Sequence, residues 1–568
     1  MRIGRKRKKT GYVAPDEIFL DSTNLPKFDT HHLEGRLERP VSRTTHFALA
    51  TLFTLAAVFY VWRIGVLEIS RGEAFKERSE KNTLTQIPIF SARGVIYDRN
   101  GVELAWNAPE RMYKYVPGLA QTVGYVGLPS AEDVTPEMTS PDQVIGRSGL
   151  EKVMNSTLEG KHGIKIVEKD VHGAVQSENL QVAPENGESV TISIDSELEG
   201  EMFKEISNLA SDRGFEGGAG AILDLRSGEV LASVSYPTFD QNDLVFKKDA
   251  KAIAAYNSDS RKPFLDRVIT GQYTPGSIVK PFMALAALSE HIITPEKQIL
   301  STGSISIPNQ YNQEESTVFM DWKAHGWVDM RHALSVSSDV YFYAIGGGYK
   351  DQEGLGINAI EQYMRMFGFA APTGIELSGE RIGTIPSPRW KEQNFNGESW
   401  RLGDTYHTVI GQYGFQVTLL QMARAIGAIA TKGTLLTPTI LHKDSSVPRR
   451  TPAKIALAEK DFTVVKEGMA LSAEVGTAKG LAGLGVKIGA KTGTAELGVG
   501  KEKVNSWVVG FLPYDNPKIA FVAVLEKGPR TNLVGATFAM RNVIEWIVKN
   551  RPEYVDGVTS NYELVNSN

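Results

Sequence analysis

One stretch near the amino terminus constrains the chain more than any other. Phe47 to Trp62, FALATLFTLAAVFYVW, runs sixteen residues without a charge. As a helix it covers about 24 Å, short of a hydrocarbon core of about 30 Å. Extending it over residues 44–67 closes the gap, with Arg63 snorkelling toward a headgroup. Tyr60 and Trp62 suit the interfacial belt. A buried core helix or a signal peptide has the same texture. No small-x-small cleavage site follows, and a preamble of 43 residues is long for a signal peptide. The reading is therefore a single uncleaved anchor. Residues 1–43 are polar and carry ten Lys and Arg, beginning with Arg5-Lys6-Arg7-Lys8-Lys9. That excess predicts a cytoplasmic tail and places everything beyond about residue 68 outside the cytoplasm. No later stretch approaches 18 apolar residues.

The remaining 500 residues have room for two domains. Residues 68–190 read as strand- and loop-rich, with a hairpin at the Asn-Gly of VIYDRNGVELAW, and as a non-catalytic module. Near residue 190 the texture changes. SVTISID reads as a strand, residues 198–209 as a helix, and two strands flank Arg226-Ser227-Gly228. Helical patterns at 281–290 and 416–431 follow. Strands return at 486–496, 505–513 and 517–526, before a helix near 534–549. This order predicts an α+β domain over 191–555 with an antiparallel sheet flanked by helices, and a tail over 556–568.

Composition excludes some chemistry. The chain has no cysteine, so disulfides, thiolate metal sites and cysteine nucleophiles are absent. Its net charge of −4 gives no overall basic bias toward nucleic acid. No HExxH-type zinc motif occurs among the histidines.

Three short motifs carry chemistry. In Thr274-Pro275-Gly276-Ser277-Ile278-Val279-Lys280, Ser277 and Lys280 stand at i and i+3, on one face of a helix start. A serine hydroxyl needs an adjacent base. Lysine serves only when neutral, a form that burial and a neighbouring cation favour. Helix-start N–H groups suit a developing oxyanion. Pro281 is tolerable there because the first helical donors are unpaired anyway. Most Ser-x-x-Lys pairs are solvated helix faces, but this one, alone in the chain, lies where a loop meets a buried helix. In ALSVSSDVYFYAIGG, Ser337 could relay a proton and Asp339 could bond Lys280 or substrate; the plain alternative is a helix N-cap. In VKIGAKTGTAELG, Lys491 offers positive charge to a carboxylate, Gly493 permits close approach to a strand, and Thr494 offers a hydroxyl and a backbone N–H. The plain alternative is an exposed strand end. In this order the three boxes form the penicilloyl-serine signature.

The chain resembles the class B penicillin-binding proteins, monofunctional D,D-transpeptidases, over nearly everything past residue 44. SARGVIYDRNGVELA (91–105) and GRSGLEKVMNSTLEG (146–160) look like boxes of that family's pedestal, the dimerisation-like domain. Asp321-Trp322, Gly403-Asp404-Thr405, Ile410-Gly411-Gln412 and Ser506-Trp507-Val508-Val509-Gly510-Phe511 also fit. The Ser-x-Asp box and ERIGTIPSPRWK look most like the elongation type, penicillin-binding protein 2. Two departures bear on loop shape: Gly411-Gln412-Tyr413-Gly414 stands where Gly-Gln-Gly is common, and Thr418-Leu419-Leu420-Gln421 where Thr-Pro-Leu-Gln is.

The resemblance implies Ser277 as acylated nucleophile, Lys280 as its base, and Ser337 as proton shuttle. Asp339, Lys491, Thr492, Gly493 and Thr494 would line the substrate site, and the N–H groups of Ser277 and Thr494 would form an oxyanion hole. It implies peptidoglycan stem peptides ending in D-Ala-D-Ala as substrate, β-lactams as trapping ligands, no metal or organic cofactor, and a membrane glycosyltransferase of the RodA or FtsW type as partner. The rival readings are a hydrolase of the same fold and a non-catalytic β-lactam sensor or wall-synthesis scaffold.

Overall fold

The computed structural model describes residues 42–73, 84–130, 133, 142–169, 174–308, 316–443, 450–498 and 500–555. The basic cluster, the tail to residue 41 and the stretch 556–568 lie outside these. The chain divides into two compact units, residues 1–85 with 168–175, and residues 86–167 with 176–568.

Helix α1 (Arg43–Gly65) forms the apolar run and continues as a π-helical turn over Val66–Ser70. Ser42 caps it by accepting from the Thr45 N–H at 3.2 Å. A core helix would bury one face. This one buries none of its residues, and Phe47, Phe53, Leu55 and Trp62 all stand exposed. By length and composition it is able to cross a membrane.

In the second unit, β1 (Ile96–Tyr97), β2 (Glu103–Asn107) and β3 (Arg111–Tyr113) form an antiparallel meander, and β4 (Val190–Thr191) pairs parallel to β1. The turn between β1 and β2 is the Asn-Gly hairpin. Asp98 accepts from the N–H groups of Asn100 and Val102 at 2.8 and 2.9 Å, and Gly101 takes φ 82°, a conformation glycine adopts without strain. Below it Glu151 is fully buried between Arg93 (2.6 Å) and Arg111 (2.7 Å). Three short helices, Ala120–Val123, Gly149–Val153 and Asn155–Glu159, interrupt what the sequence suggests is mainly strand. SVTISID forms a named strand over only Val190–Thr191, with a further bridge at Ile192, before Asp195 caps helix α2 (Ser196–Arg213).

The catalytic-type domain is built on five antiparallel strands: β5 (Gly217–Asp224), β6 (Val230–Tyr236), β7 (Gly489–Leu497), β8 (Lys503–Leu512) and β9 (Ile519–Pro529), in the order β6-β5-β9-β8-β7. Successive side chains point to opposite faces. Val508 joins a core with Leu198 and Met202 of α2 and Val543 and Ile544 of the last helix; Val509 joins another with Phe282, Ile426 and Val465. Both faces are covered, so β5 is buried along its whole length, which explains its nearly continuous apolar sequence. Helices α3 (Lys280–Ser289), α4 (Met330–Val336) and α5 (Asp339–Gly347) pack among themselves and other helices, while α2, α6 (Leu419–Ala430), α7 (Glu459–Glu474) and α8 (Ala536–Asn550) lie against the sheet. The strand and helix expectations of the sequence hold here to within a few residues. β7 is an edge strand, and that position opens the site.

Candidate active site

Ser277 does not stand on the helix itself. It lies in a 3₁₀ turn, Gly276–Val279, that runs into α3. Side chains at i and i+3 eclipse in that geometry, so Ser277 still sits above Lys280. Gly276 has φ +60° and donates its N–H to the Gly411 carbonyl at 3.0 Å. Pro281 occupies the first turn of α3. The apolar run FMALAAL is buried throughout and takes Lys280 down with it, fully buried and with its Nζ 5.4 Å from the Phe342 ring centroid.

The second box is a corner between two helices. α4 ends at Ser337, which adopts a left-handed conformation (φ 60°, ψ 40°), uncommon for a residue with a side chain. Capping belongs to its neighbour: Ser338 starts α5 and accepts from the Tyr341 N–H at 3.3 Å. Ser337 is thereby left to the lysines. Lys280 Nζ donates to the Ser337 carbonyl (2.8 Å), to its Oγ (3.3 Å) and to Asp339 Oδ1 (2.5 Å). Three acceptors match the three protons of an ammonium.

The third box runs along β7. Lys491 is fully buried and donates to Ser337 Oγ at 2.8 Å and to the Thr492 carbonyl at 2.8 Å. A Cβ on Gly493 would stand 2.8 Å from Ile278 Cγ2 and 3.0 Å from the Pro275 carbonyl, so the missing side chain is what lets the serine turn lie on the strand. Thr494 is exposed beside it. The Thr492 hydroxyl turns toward Thr477 instead, donating at 2.7 Å. The triplet alone does not mark this strand, since Lys9-Thr10-Gly11 repeats it in the tail outside the described residues.

Charge in the corner is unevenly held. Burial pushes the Lys491 ammonium well below the usual lysine range, and Lys280 adds to that while Asp339 opposes it. Burial pushes the Asp339 carboxyl up, against the pull of Lys280 and with the help of Asp321. Lys491, read from sequence as a source of fixed positive charge, is the lysine that its surroundings drive toward neutrality.

Sequence reasoning left several neighbours without a role. Asp321 underpins the Ser338 cap, accepting from Ser338 Oγ at 2.9 Å. Trp322 is exposed and donates Nε1 to the Val336 carbonyl at 3.2 Å. The Thr477 N–H donates to the Ser335 carbonyl at 3.0 Å. Only the Asp321-Trp322 pair had a signal, as an unexplained dipeptide. The unusual loop is ordered by aromatic packing: Tyr413, at φ +61°, stacks on Phe395 at 5.8 Å and meets the Trp390 ring edge-on at 5.7 Å. Leu419 in place of proline leaves a reciprocal cap in which Thr418 and Gln421 bond each other at 3.2 and 3.0 Å.

Residues 218–545 match the penicillin binding protein transpeptidase domain, and residues 107–192 match the penicillin-binding protein dimerisation domain. The first match alone spans more than half of the chain. The chain belongs to the class B penicillin-binding protein family. This penicillin-binding protein is 30% identical to the peptidoglycan D,D-transpeptidase MrdA of Salmonella typhimurium, over 82% of its own length and 77% of the relative's. Its fold matches Pseudomonas aeruginosa PBP2, solved in complex with WCK 5153, at a TM-score of 0.71 and 28% identity, covering 84% of this chain and 99% of that one. A chain of a peptidoglycan synthase complex described as coordinating polymerization and crosslinking matches at a TM-score of 0.70 and 25% identity, covering 90% and 100%.

Proposed function

We propose that this penicillin-binding protein cross-links peptidoglycan stem peptides through an acyl-enzyme on Ser277. The enzyme is a serine-type D,D-transpeptidase of the elongation type, sensitive to penicillin, and it serves the maintenance of cell shape. The observation that carries the residue assignment is Ser337 Oγ, held between Lys280 (3.3 Å) and Lys491 (2.8 Å) beside the turn that carries Ser277. Two lysines on one buried hydroxyl make a proton path, not a stabilising contact.

In the first step Ser277 Oγ attacks the carbonyl carbon of the D-Ala-D-Ala bond. Its proton passes to neutral Lys280, and the N–H groups of Ser277 and Thr494 receive the oxyanion. The C–N bond then breaks, a proton returns through Ser337 to the leaving amine, and D-alanine departs. In the second step an amine of a neighbouring stem attacks the ester, loses its proton by the same path, and frees Ser277. At rest Lys280 Nζ is bonded to Ser337 and Asp339. Lys491, Thr492, Gly493 and Thr494 hold the substrate along β7.

The anchor reading places residues 1–43 in the cytoplasm, 44–67 in the membrane, a pedestal over 68–190 and the transpeptidase domain over 191–555 outside. A polymerising glycosyltransferase of the RodA or FtsW type is the proposed partner, a reading supported by the fold shared with a chain of a synthase complex.

Covalent labelling with a fluorescent penicillin, followed by peptide mass spectrometry, tests the assignment. An adduct on Ser277 that is lost in Ser277→Ala is expected. No adduct on folded wild-type protein would favour a scaffold, and rapid turnover of the drug a hydrolase.

A further inference from the structure

Asp321 lies outside the three boxes yet bonds the corner of the site on both sides of Asp339. It is buried, directly after the strand Ser316–Met320. Its Oδ2 accepts from Ser338 Oγ at 2.9 Å, from the Val340 N–H at 3.0 Å and from Ser301 Oγ at 3.2 Å. Its Oδ1 accepts from the Trp322 N–H at 2.8 Å and lies 3.5 Å from His325 Nε2. Ser338 and Val340 are the two neighbours of Asp339. One carboxylate therefore grips the chain on both sides of the residue that bonds Lys280.

That grip has a purpose beyond capping. Ser338 takes the Tyr341 N–H and Asp321 the Val340 N–H, two of the donors a helix start leaves unpaired. A carboxylate buried there costs desolvation, which its many donors and the helix amino terminus offset. What the arrangement adds is fixation of a strained point. Ser337, at φ +60°, is strained and persists only where its surroundings over-determine it. On one side Ser335 is held by the Thr477 N–H; on the other Ser338 is held by Asp321. The charge of Asp321 also reaches Asp339 and favours its protonated form.

We propose that Asp321 is a positioning residue of the transpeptidase reaction, setting the Ser337–Asp339 corner and, through Asp339, the engagement of Lys280. The proposal rests on the assignment of Ser277, Lys280 and Ser337 made above. The groups facing Asp339 are Lys280 from α3, Lys491 from β7, Tyr343 of its own helix α5, and Asp321, just after the strand Ser316–Met320; His325 faces Asp321. Removing the Asp321 charge while keeping its shape leaves Asp339 easier to ionise. Activity that needs the Asp339–Lys280 bond then survives to lower pH.

The test measures second-order acylation by a fluorescent penicillin on the full-length protein in detergent, from about pH 4 to pH 8. Asp321→Asn, Asp321→Ala and Ser277→Ala are compared with wild type, with melting temperatures for each. Asp321→Asn is expected to move the acidic limb to lower pH. Asp321→Ala is expected to lower the plateau about 10- to 100-fold. A lower plateau in Asp321→Ala with an unmoved limb in Asp321→Asn assigns a purely structural role and overturns the proposal, as does a wild-type profile in both. If Asp321→Ala does not fold, the limb of Asp321→Asn decides alone. Wild-type labelling of Ser277→Ala removes the nucleophile assignment, and the proposal with it; normal loss there with unchanged Asp321 variants removes the proposal only.

Discussion

Lys491 Nζ and Ser337 Oγ stand 2.8 Å apart although 154 residues separate them in sequence. The bond joins the edge strand of the sheet to the corner between α4 and α5. Lys280 reaches the same hydroxyl from a third element at 3.3 Å. Removing the hydroxyl in Ser337→Ala leaves Lys491 with the Thr492 carbonyl alone and cuts the path between the lysines. Acylation by a fluorescent penicillin should fall by roughly 10²–10⁴, the range of lost acid–base assistance. The Ser277 adduct should still form on long incubation. An acylation rate close to wild type would take Ser337 out of the proton path.

Gly493 is a spacing device between β7 and the serine turn. Gly493→Ala should push on Ile278 and the Pro275 carbonyl, at 2.8 and 3.0 Å from the new Cβ. Overpacking of this kind costs about 1–3 kcal/mol, and here it displaces the nucleophile. Acylation should drop at least about tenfold, and Ile278→Ala in the same chain, which removes the nearer contact, should recover part of it. Equal acylation by the single variant and wild type would contradict the close approach.

A buried carboxyl gives the domain a pH-dependent stability away from the site. Glu199 on α2 accepts from the Ser233 N–H at 2.7 Å, and burial pushes its carboxyl up to about 8 from 4.5, the nearby Asp266 adding to the rise. Between those values the folded protein keeps a proton that the unfolded chain has released. Stability is thus fully present below about pH 4.5 and is lost as pH rises toward 8. Glu199→Gln mimics the protonated form. It should melt higher than wild type at pH 8, by up to a few kcal/mol, and like wild type near pH 4.5. Parallel melting curves across that range would show that Glu199 is ionised in the fold.

The anchor reading makes its own demand. Leu55 lies mid-way along α1 and is exposed. Leu55→Arg places a charge at the centre of the span, at a cost of about 2.5–3.5 kcal/mol on insertion scales. Membrane fractionation should show the variant shifted out of the membrane pellet, and penicillin labelling of intact cells should fall with it. Full retention in the membrane would point to attachment by other means.

The sheet, the long helices and the three boxes were legible because each is local: alternation, helical spacing and short motifs survive in one dimension. The fine structure of the site was not. Whether Ser277 sits on a helix or on a 3₁₀ turn depends on the Gly276–Gly411 contact, made by residues 135 positions apart in sequence. Ser337 and Ser338 are the same residue type, and only the left-handed turn at the first decides which caps α5 and which meets the lysines. Burial by distant segments turned Lys491 from a permanent cation into a group pressed toward neutrality. The pedestal was least legible, because many of its strands run for only two to five residues and its helices for four or five, too short for either period to declare itself.

The edge position of β7 carries a further meaning. Among the described residues no strand lies beyond it, so one row of its backbone groups is left for a guest. An extended peptide laid there becomes, for the length of one encounter, a sixth strand of the sheet, read through its main chain more than its side chains. Such a site tolerates variety along the peptide but insists on its direction and register, since a slip of one residue turns every side chain to the other face. On the proposed assignment, choice of the bond to be cut is then made by alignment, as a ruler makes a measurement, with Ser277 as the mark.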